Sequence, residues 1–336
     1  MLLITFGTRP EYIKVLPVIK ELKKRSLEYR TFFTGQHTDL LSNIETPDHQ
    51  ITIANRGNRL DSIVQSILNN DQIFDGITCV LVQGDTTSAF ATSLAAFHRQ
   101  IAVCHLEAGL RTYDKNSPYP EEFNRRAISA LADIHLSPTE TATERLISEG
   151  YTKNVHTVGN TVLDNISHIK TSSGNTVIIT LHRREKHNDM KEWFEALSQL
   201  ALKNPELNFV FPIHPNPNVQ KFRHLLQGIQ VIDPLDHGQF MEYLSACKYI
   251  ITDSGGIQEE SAFLGKPCVV CRDFTERGEG LGTFSVLCKS VKELERCCNW
   301  ANNAEIADQP CPYGDGNSAV YICDIYEKFH KNLTNI

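Results

Sequence analysis

Short apolar runs alternate with segments of helical period along most of the chain. The first run is Leu-Leu-Ile-Thr-Phe at residues 2–6, and a turn with Gly7 and Pro10 leads from it into a helix-period segment that ends near residue 24. Proline is tolerated in the first turn of a helix, where Pro10 would lie. The repeated succession of apolar run, turn and helix predicts a parallel sheet with helices on both faces.

The same succession continues through the first half of the chain and restarts in the second. Further strands of the first half are predicted at residues 31–34, 79–82 and 101–105, with helices at residues 62–69 and 87–99. Strands of the second half are predicted at residues 176–181, 208–212, 230–232, 249–252 and 267–271. The chain is therefore predicted to have an α/β fold with two Rossmann-like, doubly wound domains.

The best linker by composition is Lys-Thr-Ser-Ser-Gly-Asn at residues 170–175. It divides the 336 residues into an N-terminal domain at 1–170 and a C-terminal domain at 171–336, close to the usual size of roughly 150 residues each. A helical segment at residues 319–331 fits either domain. Doubly wound sheets bind ligands at the carboxyl ends of their strands, so the main site is expected in the cleft between the domains.

Charge and hydropathy reduce the number of possible function classes. The chain has 33 lysines and arginines against 40 aspartates and glutamates, a net charge of −7, which is unfavourable for binding a nucleic-acid polymer. Its apolar runs, such as residues 79–82, are far shorter than the ~20 residues of a membrane helix. No secretion signal is visible at the start of the sequence. We therefore expect no membrane partner.

The 10 cysteines lie mostly within apolar stretches. Cys268 and Cys271 have a spacing found in zinc sites, but the segment between them is apolar and no clear second pair follows. Buried, reduced thiols without a metal are the simpler interpretation. Free thiols favour a reducing compartment such as the cytoplasm.

Polar clusters follow several predicted strands of the first half. Gly-Thr-Arg-Pro-Glu at residues 7–11 places Arg9 in a turn before a helix, with Lys14 one turn further on. This is either an anion site or an ordinary strand–helix turn. Asp85 follows the strand at 79–82 and either caps the next helix or takes part in chemistry.

A third cluster follows the strand at residues 101–105. It contains His105, Glu107, Arg111, Glu121 and Glu122. Carboxylates that lie close together in different surroundings divide into acid and base roles. The alternative is a surface loop of ion pairs.

The second half offers an anion site of its own. An apolar strand runs into Asp-Ser-Gly-Gly at residues 253–256 and then into a helix. Glycines let backbone N–H groups at a helix start approach a diphosphate, and Glu260, about one turn inside, is placed to accept hydrogen bonds from two ribose hydroxyls. The G-x-G-x-x-G dinucleotide motif is absent. His182 and His214 lie in loops that follow two other strands and are either ligand contacts or ordinary loop histidines.

Taken together and in order, these clusters resemble a known family. The segments FGTRPE, GDTTS, HLEAGLRT, PYPEEFNRR, HRRE, PIHPNPNV, DSGGIQEE, LGKP and PYGDG are similar to those of the bacterial, non-hydrolysing UDP-N-acetylglucosamine 2-epimerases, whose fold resembles the glycosyltransferase B architecture. The resemblance covers nearly the whole chain. It implies reversible inversion at C2 of a UDP-linked 2-acetamido sugar, without nicotinamide or metal, and usually a homodimer.

The resemblance also implies roles for individual residues. The acid/base set is Asp85, Glu107, Glu121 and His182. The leaving diphosphate is stabilised by Arg9, His182 and the backbone amides of Ser254, Gly255 and Gly256. The remaining substrate contacts are Lys14, Arg111, His214, Glu260 and Arg272.

Two departures from the family pattern leave alternatives open. The usual TERPE segment is Thr-Glu-Arg-Gly-Glu at residues 275–279, with Gly278 in place of proline. Gln36 and His37 match the segment that holds a second, activating sugar nucleotide in the family, but residues 38–39 and 55–59 do not match the usual polar set, so substrate activation is not expected. A UDP-linked 2-acetamido-2,6-dideoxy-hexose is therefore an alternative substrate. A glycosyltransferase or an inactive sugar-nucleotide sensor on the same fold is the alternative of another class, which the complete acidic set disfavours.

Overall fold

A computed structural model describes residues 1–36, 44–54, 57–182, 189–306 and 309–334. The chain forms two compact units. The first contains Met1–Asn165 and Gly316–Ile336, and the second contains Ile166–Asp315. Each unit has its own parallel sheet.

The sheet of the first unit has seven strands in the order β3-β2-β1-β4-β5-β6-β7, all parallel. They are β1 (Leu2–Phe6), β2 (Tyr29–Phe33), β3 (His49–Gln50), β4 (Cys79–Gln83), β5 (Ala102–Leu106), β6 (Ile134–Ser137) and β7 (Val155–Thr157). Its helices are α1 (Arg9–Lys24), α2 (Arg59–Leu68), α3 (Thr87–His98), α4 (Glu121–Leu131), α5 (Glu140–Ser148) and the C-terminal helix Ser318–Thr334.

Burial on both faces explains why the strands read as continuous apolar runs. Leu2, Ile4 and Phe6 pack into one core, and Leu3 packs into the core on the opposite face. Successive side chains of a strand point to opposite faces, so a strand covered by helices on both sides needs apolar residues at every position.

The C-terminal helix Ser318–Thr334 joins the first unit, although the predicted range of the C-terminal domain includes it. The guanidinium of Arg25 donates to Asp324 at 2.6 Å and to Glu327 at 3.0 Å. Asp164 accepts hydrogen bonds from the first two N–H groups of the helix, at Ser318 and Ala319. A carboxylate at a helix N-terminus is stabilised by the helix dipole, which fixes where the returning chain starts this helix.

The sheet of the second unit has six parallel strands in the order β10-β9-β8-β11-β12-β13. They are β8 (Thr176–Thr180), β9 (Asn208–Pro212), β10 (Ile229–Ile232), β11 (Tyr249–Thr252), β12 (Cys268–Val270) and β13 (Ser285–Leu287). The helices are α6 (Met190–Lys203), α7 (Pro217–Gln220), α8 (His237–Ala246), α9 (Gly255–Phe263) and α10 (Leu294–Asn303), so that the C-terminal helix is α11.

Both sheets have the doubly wound order, in which the first strand is central and later strands add on either side. The α/β prediction with two Rossmann-like sheets is confirmed. Ligand sites are expected where the strand order reverses, between β1 and β4 in the first unit and between β8 and β11 in the second. Among the described residues, no helix is long and apolar enough to cross a membrane.

Candidate functional site

The turn after β1 supplies an exposed cation at the reversal point of the first sheet. Thr8 caps α1, and its hydroxyl accepts a hydrogen bond from the N–H of Glu11. Arg9 is the first residue of α1, is exposed, and has no ion-pair partner among the residues that the structure describes. A free guanidinium at a helix N-terminus is suited to an anion.

Glu107 stands directly after β5 and is held by two side chains from neighbouring elements. Lys14 Nζ lies 2.5 Å from Glu107 Oε1, and Gln83 donates to Oε2. The side chain of Glu107 is 11% exposed. Its φ of 68° is in the left-handed region, which non-glycine residues adopt rarely and which is often found at functional sites. The predicted acid/base residue Glu107 and the predicted contact Lys14 therefore form one ion pair.

Asp85 pairs with α4. The guanidinium of Arg125 donates to Asp85 Oδ2 through Nε at 3.1 Å and also through Nη2, and the side-chain amide of Asn124 donates to the Asp85 carbonyl at 2.9 Å. The Asp85 side chain keeps 27% of its surface exposed. It is thus fixed and still accessible.

The two consecutive glutamates at the start of α4 have different surroundings. Glu122 is fully buried and accepts hydrogen bonds from the N–H groups of Thr112 at 2.9 Å and Tyr113 at 3.1 Å. Glu121 Oε2 is also buried, but it has no hydrogen-bond partner among the described residues. A buried carboxylate oxygen without a donor is unusual and needs an explanation such as a catalytic role. Glu122 therefore holds the preceding loop, whereas Glu121 has an oxygen available for chemistry.

Arg111 makes hydrogen bonds to other residues of the first unit. It is 4% exposed, and its guanidinium donates to Glu149, to Ser129 Oγ at 2.9 Å and to the carbonyl of Leu110 at 2.8 Å. These contacts occupy nearly all of its N–H groups. In this conformation Arg111 stabilises the loop after β5, and its assignment as a substrate contact stays a prediction.

Two histidines and an aspartate meet at the reversal point of the second sheet. Asp253 follows β11 and is fully buried; its Oδ2 accepts a hydrogen bond of 2.8 Å from the N–H of His182, and its Oδ1 lies 3.4 Å from His182 Nδ1. The imidazole of His182 is stacked on that of His214, with centroids 5.2 Å apart and an angle of 9° between the rings. The structure thus brings together two predicted site residues. Arg183, Arg184 and Glu185 of the same segment lie outside the described residues.

The helix α9 begins as predicted for an anion site. Ser254 is its N-cap residue, and Gly255 and Gly256 are its first two residues. A Cβ added to Gly256 would meet no atom within 4 Å, whereas one added to Gly255 would lie 2.5 Å from the guanidinium of Arg277. Arg277 is held by Glu259 at 2.5 Å and by Glu276 at 2.6 Å. A cation therefore lies beside the open, positively polarised end of the helix.

Glu260 and Arg272 complete the predicted set in the second unit. Glu260 is 5% exposed, and its Oε1 lies 2.9 Å from Nε2 of His237. Arg272 donates to Glu276 at 3.1 Å, while its Nε is buried without a partner among the described residues. Both side chains are thus fixed by one neighbour each.

The Gly278 segment is held by a tyrosine from the PYGDG motif. The hydroxyl of Tyr313 accepts a hydrogen bond from the N–H of Gly280 and donates to the carbonyl of Arg277, both at 3.1 Å. A Cβ at Gly278 would meet open space. Gly278, which replaces the proline of the family pattern, therefore lies in a segment that Tyr313 holds by hydrogen bonds on both sides.

Other sequence expectations concern metals, thiols and a second nucleotide site. No group of three or more metal-binding side chains occurs within the described ranges. All ten cysteines are unpaired, and nine of them are buried. The side-chain oxygen of Gln36 accepts a hydrogen bond of 2.7 Å from the hydroxyl of Ser88. His37, Thr38, Asp39, Asn55 and Arg56 lie outside the described residues.

Several residues of the sites were not predicted from the sequence. They are the partners of the predicted residues: Gln83, Arg125, Asp253, His237 and Arg277. Arg125, Asp253 and Arg277 lie inside the quoted motifs, and Gln83 directly precedes GDTTS. Their positions are therefore visible in the sequence, but the side chain that each contacts is not. His237 has no motif around it and gives no sequence signal.

Comparison with known proteins identifies the family. A family model described as UDP-N-acetylglucosamine 2-epimerase matches residues 20–327. The chain is 37% identical to the UDP-N-acetylglucosamine 2-epimerase of Campylobacter jejuni, in an alignment that covers 98% of each chain. It is also 37% identical to that of Neisseria meningitidis serogroup A, covering 96% of this chain and 98% of the relative.

Solved structures show the same relationship. The UDP-GlcNAc 2-epimerase of Neisseria meningitidis, crystallised with UDP-GlcNAc, has a TM-score of 0.83 at 34% identity and covers 97% of this chain and 99% of its own. MnaA of S. aureus, solved with UDP, has a TM-score of 0.84 at 34% identity, with 99% and 97% covered. MurG of Acinetobacter baumannii, at 17% identity and a TM-score of 0.67, shares the fold alone. The predicted glycosyltransferase B-like fold is confirmed.

Proposed function

The chain belongs to the UDP-N-acetylglucosamine 2-epimerase family, and we propose that it reversibly inverts C2 of UDP-N-acetylglucosamine. One observation supports this most strongly: three carboxylates belong to segments that follow strands of the first sheet. Asp85 and Glu107 lie in the loops after β4 and β5, and Glu121 is the first residue of α4. One of them, Glu121, has a buried oxygen to which none of the described residues donates a hydrogen bond. A transferase that moves the sugar to an acceptor has no need of several acid/base groups around C2.

The chemistry explains the need for these groups. The C2 proton is not beside a carbonyl, so a base cannot remove it to give an enolate. Its removal must accompany cleavage of the bond between C1 and the diphosphate oxygen, with the electron pair of the C–H bond forming a C1–C2 double bond. The products are a 2-acetamidoglucal and UDP. Re-addition of UDP to C1 with protonation of the opposite face of C2 gives the manno epimer, so that acid/base groups are required on both faces.

The three carboxylates have different environments and so can divide these tasks. Asp85 is paired with Arg125 and Glu107 with Lys14. The buried oxygen of Glu121 accepts no hydrogen bond from the described residues and is open to a proton from the substrate. We assign the proton transfers to Asp85, Glu107, Glu121 and His182.

The groups that bind UDP are assigned by the same logic. Negative charge grows on the diphosphate as it leaves, and preorganised donors stabilise that charge without reorganising during the reaction. Arg9 and His182, together with the amides at the start of α9, are such donors. Lys14, His214 and Arg272 provide further contacts, and Glu260 binds the ribose.

Exchange of the C2 proton with solvent tests the proposed function. Incubation with UDP-GlcNAc in heavy water should place deuterium at C2 and produce the manno epimer, which NMR distinguishes from the substrate. The same assay with UDP-linked 2-acetamido-2,6-dideoxy-hexoses tests the alternative substrate class. Transfer of the sugar without C2 exchange would favour a glycosyltransferase, and UDP-sugar binding without any turnover would favour a sensor.

Replacing Glu260 by alanine should weaken UDP binding by roughly ten-fold, since a charged hydrogen-bond acceptor is lost. The lost affinity should come only from contacts with the ribose. Wild-type protein should therefore bind UDP more tightly than its 2′-deoxy analogue, and Glu260→Ala should bind the two nearly equally. Calorimetry with both nucleotides measures this. Unchanged discrimination in the variant would show that another group binds the 2′-hydroxyl.

We also propose a homodimer that assembles through the first unit. Phe97 on α3 and Phe123 on α4 are 57% and 53% exposed, and Tyr119, which precedes α4 in the sequence, is 68% exposed. Exposed aromatic side chains on adjoining helices are typical of a protein–protein interface. The buried, unpaired thiols agree with a cytoplasmic location.

A further inference from the structure

The carboxylate of Glu11 joins the turn after β1 to the turn after β4. Its Oε2 accepts hydrogen bonds from the N–H groups of Gly7 at 2.9 Å and Thr8 at 2.7 Å, and from the Thr8 hydroxyl at 2.8 Å. Its Oε1 accepts a hydrogen bond of 2.6 Å from the hydroxyl of Thr86. The four donors come from two turns that are separated by more than seventy residues of sequence.

Burial makes this connection rigid. Glu11 is 2% exposed, and burial raises the pKa of its carboxyl, while the four hydrogen bonds oppose the rise. A buried carboxylate that loses a donor is poorly solvated, so each of these hydrogen bonds is costly to break. The two turns therefore keep one relative arrangement.

Thr86 transmits this arrangement to the neighbouring acid/base residue. It is the N-cap of α3, and its Oγ1 accepts a hydrogen bond of 3.1 Å from the N–H of Ala89 while it donates to Glu11. Asp85 is the preceding residue. The other contacts of Asp85, with Asn124 and Arg125, both come from α4. Asp85 is thus held from α4 on one side and, through Thr86, from Glu11 on the other.

We propose that Glu11 is a positioning residue, whose carboxylate holds Thr86 and so fixes Asp85 for proton transfer at C2. The inference rests on the proposed function, because that function makes Asp85 an acid/base residue. A displacement of about 1 Å in an acid/base group lowers the rate by as much as 100-fold. The cost should appear in kcat, because Glu11 itself contacts no substrate.

A matched pair of threonine variants tests the proposal. Thr139 caps α5 at the end of β6 in the same sheet, where its hydroxyl accepts from the N–H of Ala142 at 3.2 Å. Thr86→Val and Thr139→Val each remove one helix cap, so both should lower the melting temperature by a similar few degrees. Only Thr86→Val removes a hydrogen bond to Glu11.

The expected results distinguish an effect on the position of Asp85 from an effect on the stability of the fold. Thr86→Val should lower kcat for C2 deuterium exchange roughly 10- to 100-fold with KM within about three-fold of wild type, and Glu11→Gln should do the same. Thr139→Val should keep kcat within about two-fold, and Thr86→Ser, which retains a hydroxyl, should restore most of it. Equal kcat values in Thr86→Val and Thr139→Val, whether high or low, would overturn the positioning role. Absence of exchange in the wild-type protein would instead refute the proposed function.

Discussion

Replacing Glu121 by glutamine should lower the rate of deuterium exchange at C2 of UDP-GlcNAc by about 10³-fold. Glutamine has nearly the same shape but cannot accept a proton at neutral pH. Because Glu121 Oε2 has no partner among the described residues, the change removes no hydrogen bond of that oxygen within the fold. We therefore expect the melting temperature to stay close to that of the wild-type protein.

The affinity for UDP separates this effect from a loss of binding. UDP binding should change by less than about three-fold, since the nucleotide contacts assigned above do not include Glu121. Glu144→Gln is the matched control, because Glu144 is an exposed glutamate on α5 of the same unit. It should exchange C2 at the wild-type rate. Exchange in Glu121→Gln within about ten-fold of wild type would remove Glu121 from the acid/base set.

The fold was predictable where strands are buried on both faces. The predicted bounds of β1, β9 and β11 equal the observed ones, because a strand that is covered on both faces reads as a short apolar run between turn residues. The strand β3 has two residues, and β7 has three that are partly or fully exposed. Such edge strands form no apolar run, and they exist only because a neighbouring strand offers its free N–H and C=O groups.

The site was predictable as a set of residues but not as a set of contacts. Lys14 and Glu107 are 93 positions apart, and Asp85 and Arg125 are 40 apart. No local pattern links such pairs, because the order of the strands in the sheet decides which loops meet. The neighbours Glu121 and Glu122 are equivalent in sequence, yet they point about 100° apart on a helix. Glu122 therefore anchors the preceding loop, and Glu121 keeps an oxygen that accepts no hydrogen bond from the described residues.

Acidification should destabilise the first unit through two buried histidines on adjacent strands. His105 and His135 are register partners in β5 and β6, and they are 0% and 2% exposed. Burial, together with the nearby charge of Arg111, lowers the pKa of His105 to about 3 and that of His135 to about 4. Each ring has an Nδ1 without a hydrogen-bond partner among the described residues, so the fold provides no acceptor there for an added proton.

The direction in which stability changes with pH follows from the protons that are taken up on unfolding. Below about pH 6.5 the unfolded chain protonates both histidines while the folded unit keeps them neutral, so unfolding takes up two more protons and stability falls as the pH falls. By pH 5 the pair should remove on the order of 4 kcal/mol, a large fraction of the usual 5–15 kcal/mol. Glu11 opposes this trend, because its raised pKa lets the folded state bind a proton first.

Thermal unfolding between pH 7 and pH 5, followed by calorimetry, measures the effect. His135→Phe removes one titrating ring from the core, so its melting temperature should fall about half as steeply with pH as that of the wild-type protein. His98→Phe is the control, because His98 is exposed at the end of α3 and should leave the slope unchanged. If His135→Phe kept the full slope, the acid sensitivity would have to come from other groups. A wild-type protein that is equally stable at both pH values would show that the folded unit accepts these protons.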